Sequence, residues 1–141
     1  MKISVICPTY NSEKYIEKTF LSVVKQTRLP DELILVDDGS TDLTCELKNE
    51  FNNSIKYIYT KNQGASAARN IGISKSTGDY LAFIDCDDVY EPEKIEKSID
   101  ILQNHSSYDF VYTDVYFIDK KDNQIKQKSY TKNHPGSGDI S

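Results

Sequence analysis

Four short apolar runs dominate the chain: ISVIC (3–7), LILVD (33–37), IKYIY (55–59) and YLAFID (80–85), each stopping at polar, Gly or Pro residues. Runs of this length, rich in β-branched side chains, read as strands, and their near-continuous apolarity implies burial on both faces. Helical periodicity fills the gaps. Residues 13–27 set Ile16, Phe20, Val23 and Val24 on one face, and residues 41–50 give a weaker pattern. Residues 65–75 carry Ala67, Ala68 and Ile71, small enough in part to let a helix pack closely. After Pro92, a favoured first helical residue, Ile95, Ile99 and Leu102 recur on one face. A fifth strand is expected in DFVYTDVYFID (109–119). Strand alternating with helix is the pattern of an α/β fold, a mainly parallel sheet with right-handed crossovers and helices on both faces.

Such sheets bind ligands beyond the carboxyl ends of their strands, near a reversal in strand order. The residues there carry the chemistry. The first strand ends in CPTYN, where Pro8 stiffens the chain and Tyr10 is either a rim tyrosine or a flat surface for a base. Run two ends in VDDGSTD. Adjacent carboxylates leave a strand on opposite faces, so only one of Asp37 and Asp38 can point into a given site. Gly39 permits a sharp turn, and Ser40, Thr41 or Asp42 can cap the next helix. After the third strand comes TKNQGASAARNIG, with Arg69 in the first turns of a helix, where a cation gains nothing from the helix dipole. A buried salt bridge or an anionic ligand would each account for it.

The fourth strand ends in FIDCDDVY, with Asp85, Asp87 and Asp88 within four residues. Crowding like charges raises their pKa values and costs stability unless something compensates. A solvated acidic loop is the plain reading. A divalent cation with oxygen ligands is the sharper one, since Mg2+ or Mn2+ takes one or two carboxylates and leaves its other positions to water and phosphate oxygens. Strand alternation puts Asp85 and Asp87 on one side and turns Asp88 elsewhere, or into a cap for the turn toward Pro92.

The charge balance limits partners. Net charge is −5, from 17 basic and 22 acidic residues, so nothing in the composition draws the chain to nucleic acid. Cys7, Cys45 and Cys86 form no CxxC pair and fit a reducing compartment rather than a zinc site. The opening MKISVICPTYNSEKY is neither a signal peptide nor a membrane span. A soluble cytoplasmic protein is expected.

Taken in order, VICPTYN, ELILVDDGSTD, NQGASAARNIG, GDYLAFIDCDD and YEPEKIEKSI resemble the inverting family-two glycosyltransferases of GT-A fold, over residues 3–118. The resemblance implies a Rossmann-like nucleotide-sugar-binding core over 1–118, followed at 119–141 by a polar hairpin or turn and a flexible tail. Family members run longer, and the part that binds acceptor is absent from this segment, which corresponds to a C-terminally truncated member. By resemblance, Pro8 and Tyr10 line the nucleoside pocket and Asp38 reads a uracil-type base edge. Asn62 and Arg69 contact the nucleotide, Asp85 faces the ribose, and Asp87 binds the Mn2+ or Mg2+ that bridges the phosphates. The implied donor is a UDP-sugar, and the acceptor a saccharide or lipid-linked saccharide. A lipid-linked acceptor would place the protein peripherally at the inner membrane face.

The general base of such a reaction is expected outside this segment. Asp109, Asp114 and Asp119 are the late acids available, and none is assigned that role. Two enzyme classes share parts of the pattern. DCDDV fits the nucleophile motif of haloacid-dehalogenase phosphatases, but that motif follows a first strand and this one a fourth. A phosphoacceptor receiver domain would place its acid pair after strand one, where CPTYN stands. A nucleotide-binding module without catalysis would keep the same residues.

Overall fold

The computed structural model describes residues 1–46, 55–119, 121 and 123–128. Contacts divide the chain into two compact units, Met1–Asp100 and Ile101–Ser141. In the first unit the strands are β1 (Ile3–Thr9), β2 (Glu32–Asp37), β3 (Lys56–Tyr59) and β4 (Tyr80–Phe83). They form one sheet in the order β3-β2-β1-β4, every pairing parallel. The helices are α1 (Ile16–Val24), α2 (Ala65–Lys75) and α3, which begins at Lys94 and runs to Asn104. A 3-10 turn, Leu43–Glu46, stands where the weaker periodicity lay; the rest of that stretch, 47–50, falls outside the described residues.

Alternation along the strands builds two cores. Ile3, Val5 and Cys7 of β1 and Leu33 and Leu35 of β2 pack against Ile16, Phe20 and Val23 of α1 and Ile95 and Ile99 of α3. Ile6, Ile34 and Val36 face the opposite way and meet Ala68 of α2. Helices therefore cover both faces. On α2 the contact is close: a Cβ on Gly72 would stand 2.4 Å from Ile6 Cγ2. With Ala68 one turn earlier, Gly72 lets the helix backbone approach β1. Its role leaves no mark in the hydrophobic periodicity.

The outer strands depart from the expectation of burial on both faces. β1 and β2 are buried almost throughout, whereas β4 alternates and leaves Leu81 and Phe83 exposed. β4 also ends at Phe83, two residues early. Its ladder to β1 closes with the Ile84 N–H on Ile6 O, and Asp85–Asp88 then forms a turn in which the Asp88 N–H bonds Asp85 O at 3.0 Å. Strand alternation thus does not reach Asp87.

β1 runs through Pro8 instead of stopping before it. Residues 7 and 9 direct their backbone groups toward β2, as the Asp38 N–H to Thr9 O bond shows. Pro8, like Ile6, faces the β4 side, where β4 has already turned away, so its missing N–H costs no ladder bond. Pro92 likewise lies in the turn before α3, where its carbonyl accepts the Thr27 N–H.

In the second unit the fifth strand is shorter than expected. β5 (Val115–Ile118) pairs antiparallel with β6 (Gln124–Lys128) in a two-stranded sheet of its own. Asp119 fixes the turn between them, its carboxylate accepting the N–H groups of Lys121 and Asn123.

Candidate functional site

The strand order locates the site. The chain steps outward from β1 to β2 to β3, then returns to the other side of β1 for β4. The reversal lies between β1 and β4, and the loops beyond their carboxyl ends are those bearing Tyr10 and Asp85–Asp88.

These loops are tied into a ring. Asn11 holds a left-handed backbone (φ 48°), donates its N–H to Ser40 Oγ at 2.9 Å and accepts the Thr41 N–H on Oδ1 at 2.8 Å. Asp42 accepts the N–H groups of Thr44 and Glu13, capping the 3-10 turn as expected and joining it to the β1 loop. Gly39, also at positive φ, sits so near Asn62 that a Cβ would lie 3.0 Å from the Asn62 nitrogen. Asp38 accepts the Gln63 N–H at 2.9 Å and the Gly64 N–H at 2.7 Å. The helix begun at Gly64 carries Arg69, whose Nη2 pairs with Asp85 Oδ1. The turn after Asp85 returns to the start, with Cys86 Sγ 2.8 Å from Ser12 Oγ. Thr19 of α1 holds that turn from below, its hydroxyl within 2.9 Å of both Cys86 O and Asp88 O.

Side-chain exposure sorts the candidates. Tyr10 is 49% exposed at the rim and Asn62 is exposed beside Gly39. Pro8 is buried within β1. Asp37 and Asp38 are both buried and both hold structure. Asp37 accepts the Ser40 N–H and the Tyr57 hydroxyl on the α1 side. Burial, and then that bond to Asp37, raise the Tyr57 pKa well above its ordinary value, so it stays a donor. Neither acid of the pair is surplus to local bonding. Asp38 clamps the 60–64 loop, a task its sequence position does not reveal. Thr9 adds a group that sequence reasoning passed over: its buried Oγ1 has no partner among the described residues.

Beyond β4 the acids are less well met. Asp85 is half-exposed, with one oxygen given to Arg69. No hydrogen bond or ion pair joins the Asp87 carboxylate to another described residue. Asp88 neither caps the turn toward Pro92 nor finds another such partner, and its pKa is raised, first by burial and then by Asp87 and Asp85. Arg69 forms an ion pair, but a partly exposed one and not the buried bridge expected.

No cluster of three or more His, Cys, Asp or Glu suited to a metal occurs among the described residues. The donors fit a hard cation of another kind, one held by one or two carboxylates and completed by phosphate oxygens and water, as Mg2+ and Mn2+ are. Asp87 and the second oxygen of Asp85 are the carboxylate groups that would hold such an ion. No helix among the described residues is long and apolar enough to cross a membrane.

Known proteins resemble this chain in sequence and in fold. Residues 4–138 match the profile of Glycosyl transferase family 2. An uncharacterized glycosyltransferase of Haemophilus influenzae is 42% identical over 135 residues, covering 92% of this chain and 53% of that protein. Glycosyltransferase GlyA of Streptococcus pneumoniae is 43% identical over 98 residues, 67% of this chain and 14% of its own length. The chain thus spans about half or less of the curated relatives it matches. Among solved structures, S. aureus TarS in complex with UDP-GlcNAc superposes with a TM-score of 0.66 at 33% identity, over 75% of this chain and 32% of that one.

Proposed function

Since the chain belongs to glycosyl transferase family 2, we propose that it is the donor-binding part of a glycosyltransferase, taking a UDP-sugar at the carboxyl end of its sheet. Sugar passes to a saccharide or lipid-linked acceptor with inversion at the anomeric carbon. The observation that carries this reading is the closed ring of loops. It gathers an exposed aromatic face (Tyr10), a guanidinium (Arg69) and two incompletely satisfied carboxylates (Asp85, Asp87) around the strand-order reversal. TarS, a third identical, has been crystallised with UDP and with UDP-GlcNAc, which favours a uridine nucleotide here.

In this reading Tyr10 stacks on the base, with Pro8 behind it in the rigid end of β1. Asp38, held by Gln63 and Gly64, fixes the edge of the base pocket beside Asn62. Asp85 faces the ribose and Asp87 holds Mn2+ or Mg2+, which when bound offsets charge on the departing diphosphate. Residues 1–118 form the donor core, and the acceptor site and general base lie in sequence beyond the matched motifs. Peripheral attachment to the inner membrane face would follow from a lipid-linked acceptor.

The test is a thermal-shift panel of nucleoside diphosphates with and without Mn2+. UDP at 100 times its Kd should add about 2.7 kcal/mol of stability, and only when Mn2+ is present. Equal shifts with all bases, or no dependence on the cation, would sink the proposal. The 141-residue chain alone should transfer sugar poorly or not at all; brisk turnover on a defined acceptor would show that the base lies within it.

A further inference from the structure

We infer that Arg69 is a built-in counter-ion that occupies Asp85 when the site holds no cation and gives it up when one binds. This rests on the reading of Asp85 and Asp87 as the cation-bearing pair.

Three features lead there. Arg69 lies in the second turn of α2, near the positive end of the helix dipole, where a cation is unfavourable without an acid opposite. It is held within reach because Ala68 and Gly72 let α2 settle against β1, bringing the guanidinium over the end of the neighbouring β4. The contact is with Asp85 Oδ1 through Nη2 alone, one arm of a fork that could clasp both oxygens. Both side chains are partly exposed, 33% for Arg69 and 51% for Asp85.

These facts set the strength of the pair. An exposed, single-armed ion pair is weak, whereas a divalent cation brings twice the charge and binds carboxylate oxygen directly. Arg69 therefore holds Asp85 loosely enough to be displaced. While it holds, it offsets charge that would otherwise crowd Asp87 and Asp88. Once released it remains at the mouth as a cation with no carboxylate partner, placed to meet the anionic end of an incoming nucleotide. Cation and nucleotide binding are then coupled: the cation frees the arginine, and the arginine favours the diphosphate.

The inference is tested with Mn2+ alone, following the free-ion signal by electron paramagnetic resonance in the absence of nucleotide. Arg69→Met removes the competitor, so it should bind Mn2+ roughly three- to tenfold tighter than the unaltered chain. Arg69→Lys, which keeps the charge, should fall between. In the Arg69→Met background, Asp85→Asn should erase the gain. Thermal unfolding of each variant guards against misfolding, because an unfolded sample would show no cooperative transition. UDP affinity in saturating Mn2+ should fall in Arg69→Met while uridine affinity holds. Unchanged or weaker Mn2+ binding by a folded Arg69→Met protein would overturn the latch. That outcome is separate from failure of the donor-site reading, which would appear as absence of Mn2+-dependent UDP binding by the unaltered chain.

Discussion

Both ends of the central sheet are acidic, yet their carboxylates live in different circumstances. At the amino end, Asp31 accepts the Ile3 N–H at 2.8 Å and Asp79 accepts the Lys2 N–H at 2.7 Å. Glu32 takes the Ser4 hydroxyl together with the N–H and hydroxyl of Thr77. Each of these three acids is met by backbone or hydroxyl donors. Past β4 at the carboxyl end, one acid leans on an exposed arginine and its neighbour has no hydrogen-bond or ion-pair partner among the described residues. Acidic residues are thus structural where the backbone comes to meet them. Where it does not, they keep oxygens without a protein partner among the described residues.

Substitutions should separate the two ends. The largest effect is expected from Asp87→Ala: Mn2+-dependent UDP binding should weaken by about 100-fold or more, since loss of even an outer partner of a metal ligand costs about 10- to 100-fold, while the unfolding midpoint in denaturant stays the same. Calorimetry measures the first and urea titration the second. A large loss of stability would mean that Asp87 belongs with the structural acids after all.

Gly72→Val comes next. Its side chain would collide with Ile6, so overpacking should cost about 1–3 kcal/mol, read from chemical denaturation. By pushing α2 off β1 it should also part Arg69 from Asp85 and mimic the Arg69→Met effect on Mn2+ binding.

Glu32→Ala should cost a similar or smaller amount, about 1–2 kcal/mol for donors left unmet, with no change in UDP or Mn2+ binding. Burial pushes the Glu32 pKa up, but the bonds from Ser4 and Thr77 outweigh it and leave it below the ordinary value. A lowered folded pKa means that this contribution is complete above the unfolded value, about 4.3, and is lost as pH falls through the folded one. Denaturant midpoints for Glu32→Ala and the unaltered chain should therefore converge in acid.

Asp88→Asn is the smallest and has the opposite sign. Raised by burial and by its two acidic neighbours, Asp88 costs stability once pH climbs past the unfolded value, about 3.9, toward its higher folded one. Removing the charge should lift the melting temperature at neutral pH by about 1–2 °C and do nothing below about pH 3.5. A neutral-pH gain of this kind beside an acid-side convergence for Glu32 would make the contrast quantitative.

Much of this was open to sequence reading, for physical reasons that can be named. The strands announced themselves because two-sided burial demands unbroken apolar runs, and α2 appeared at its observed limits between Gly64 and Ser76. The outer strands misled: YLAFID looks continuous, but only β1 and β2 are enclosed, and β4 yields to a turn that Thr19 pins from another element. Pro8 looked like a stop because its harmlessness depends on where β4 ends, information located some 75 positions away.

By itself, the order of motifs determined a parallel α/β sheet whose loops bring an aromatic, an arginine and a run of acids to one end, since periodicity and turn residues are local properties. Tertiary structure alone decided which acids were already committed. Asp37 answers to Tyr57, Asp38 to Gln63 and Gly64, and Asp85 to Arg69. Those partners stand 16 to 26 positions away, brought near by crossovers and, for Arg69, by the small Ala68 side chain and the bare backbone of Gly72, and a carboxylate's availability depends on neighbours that only the folded chain supplies.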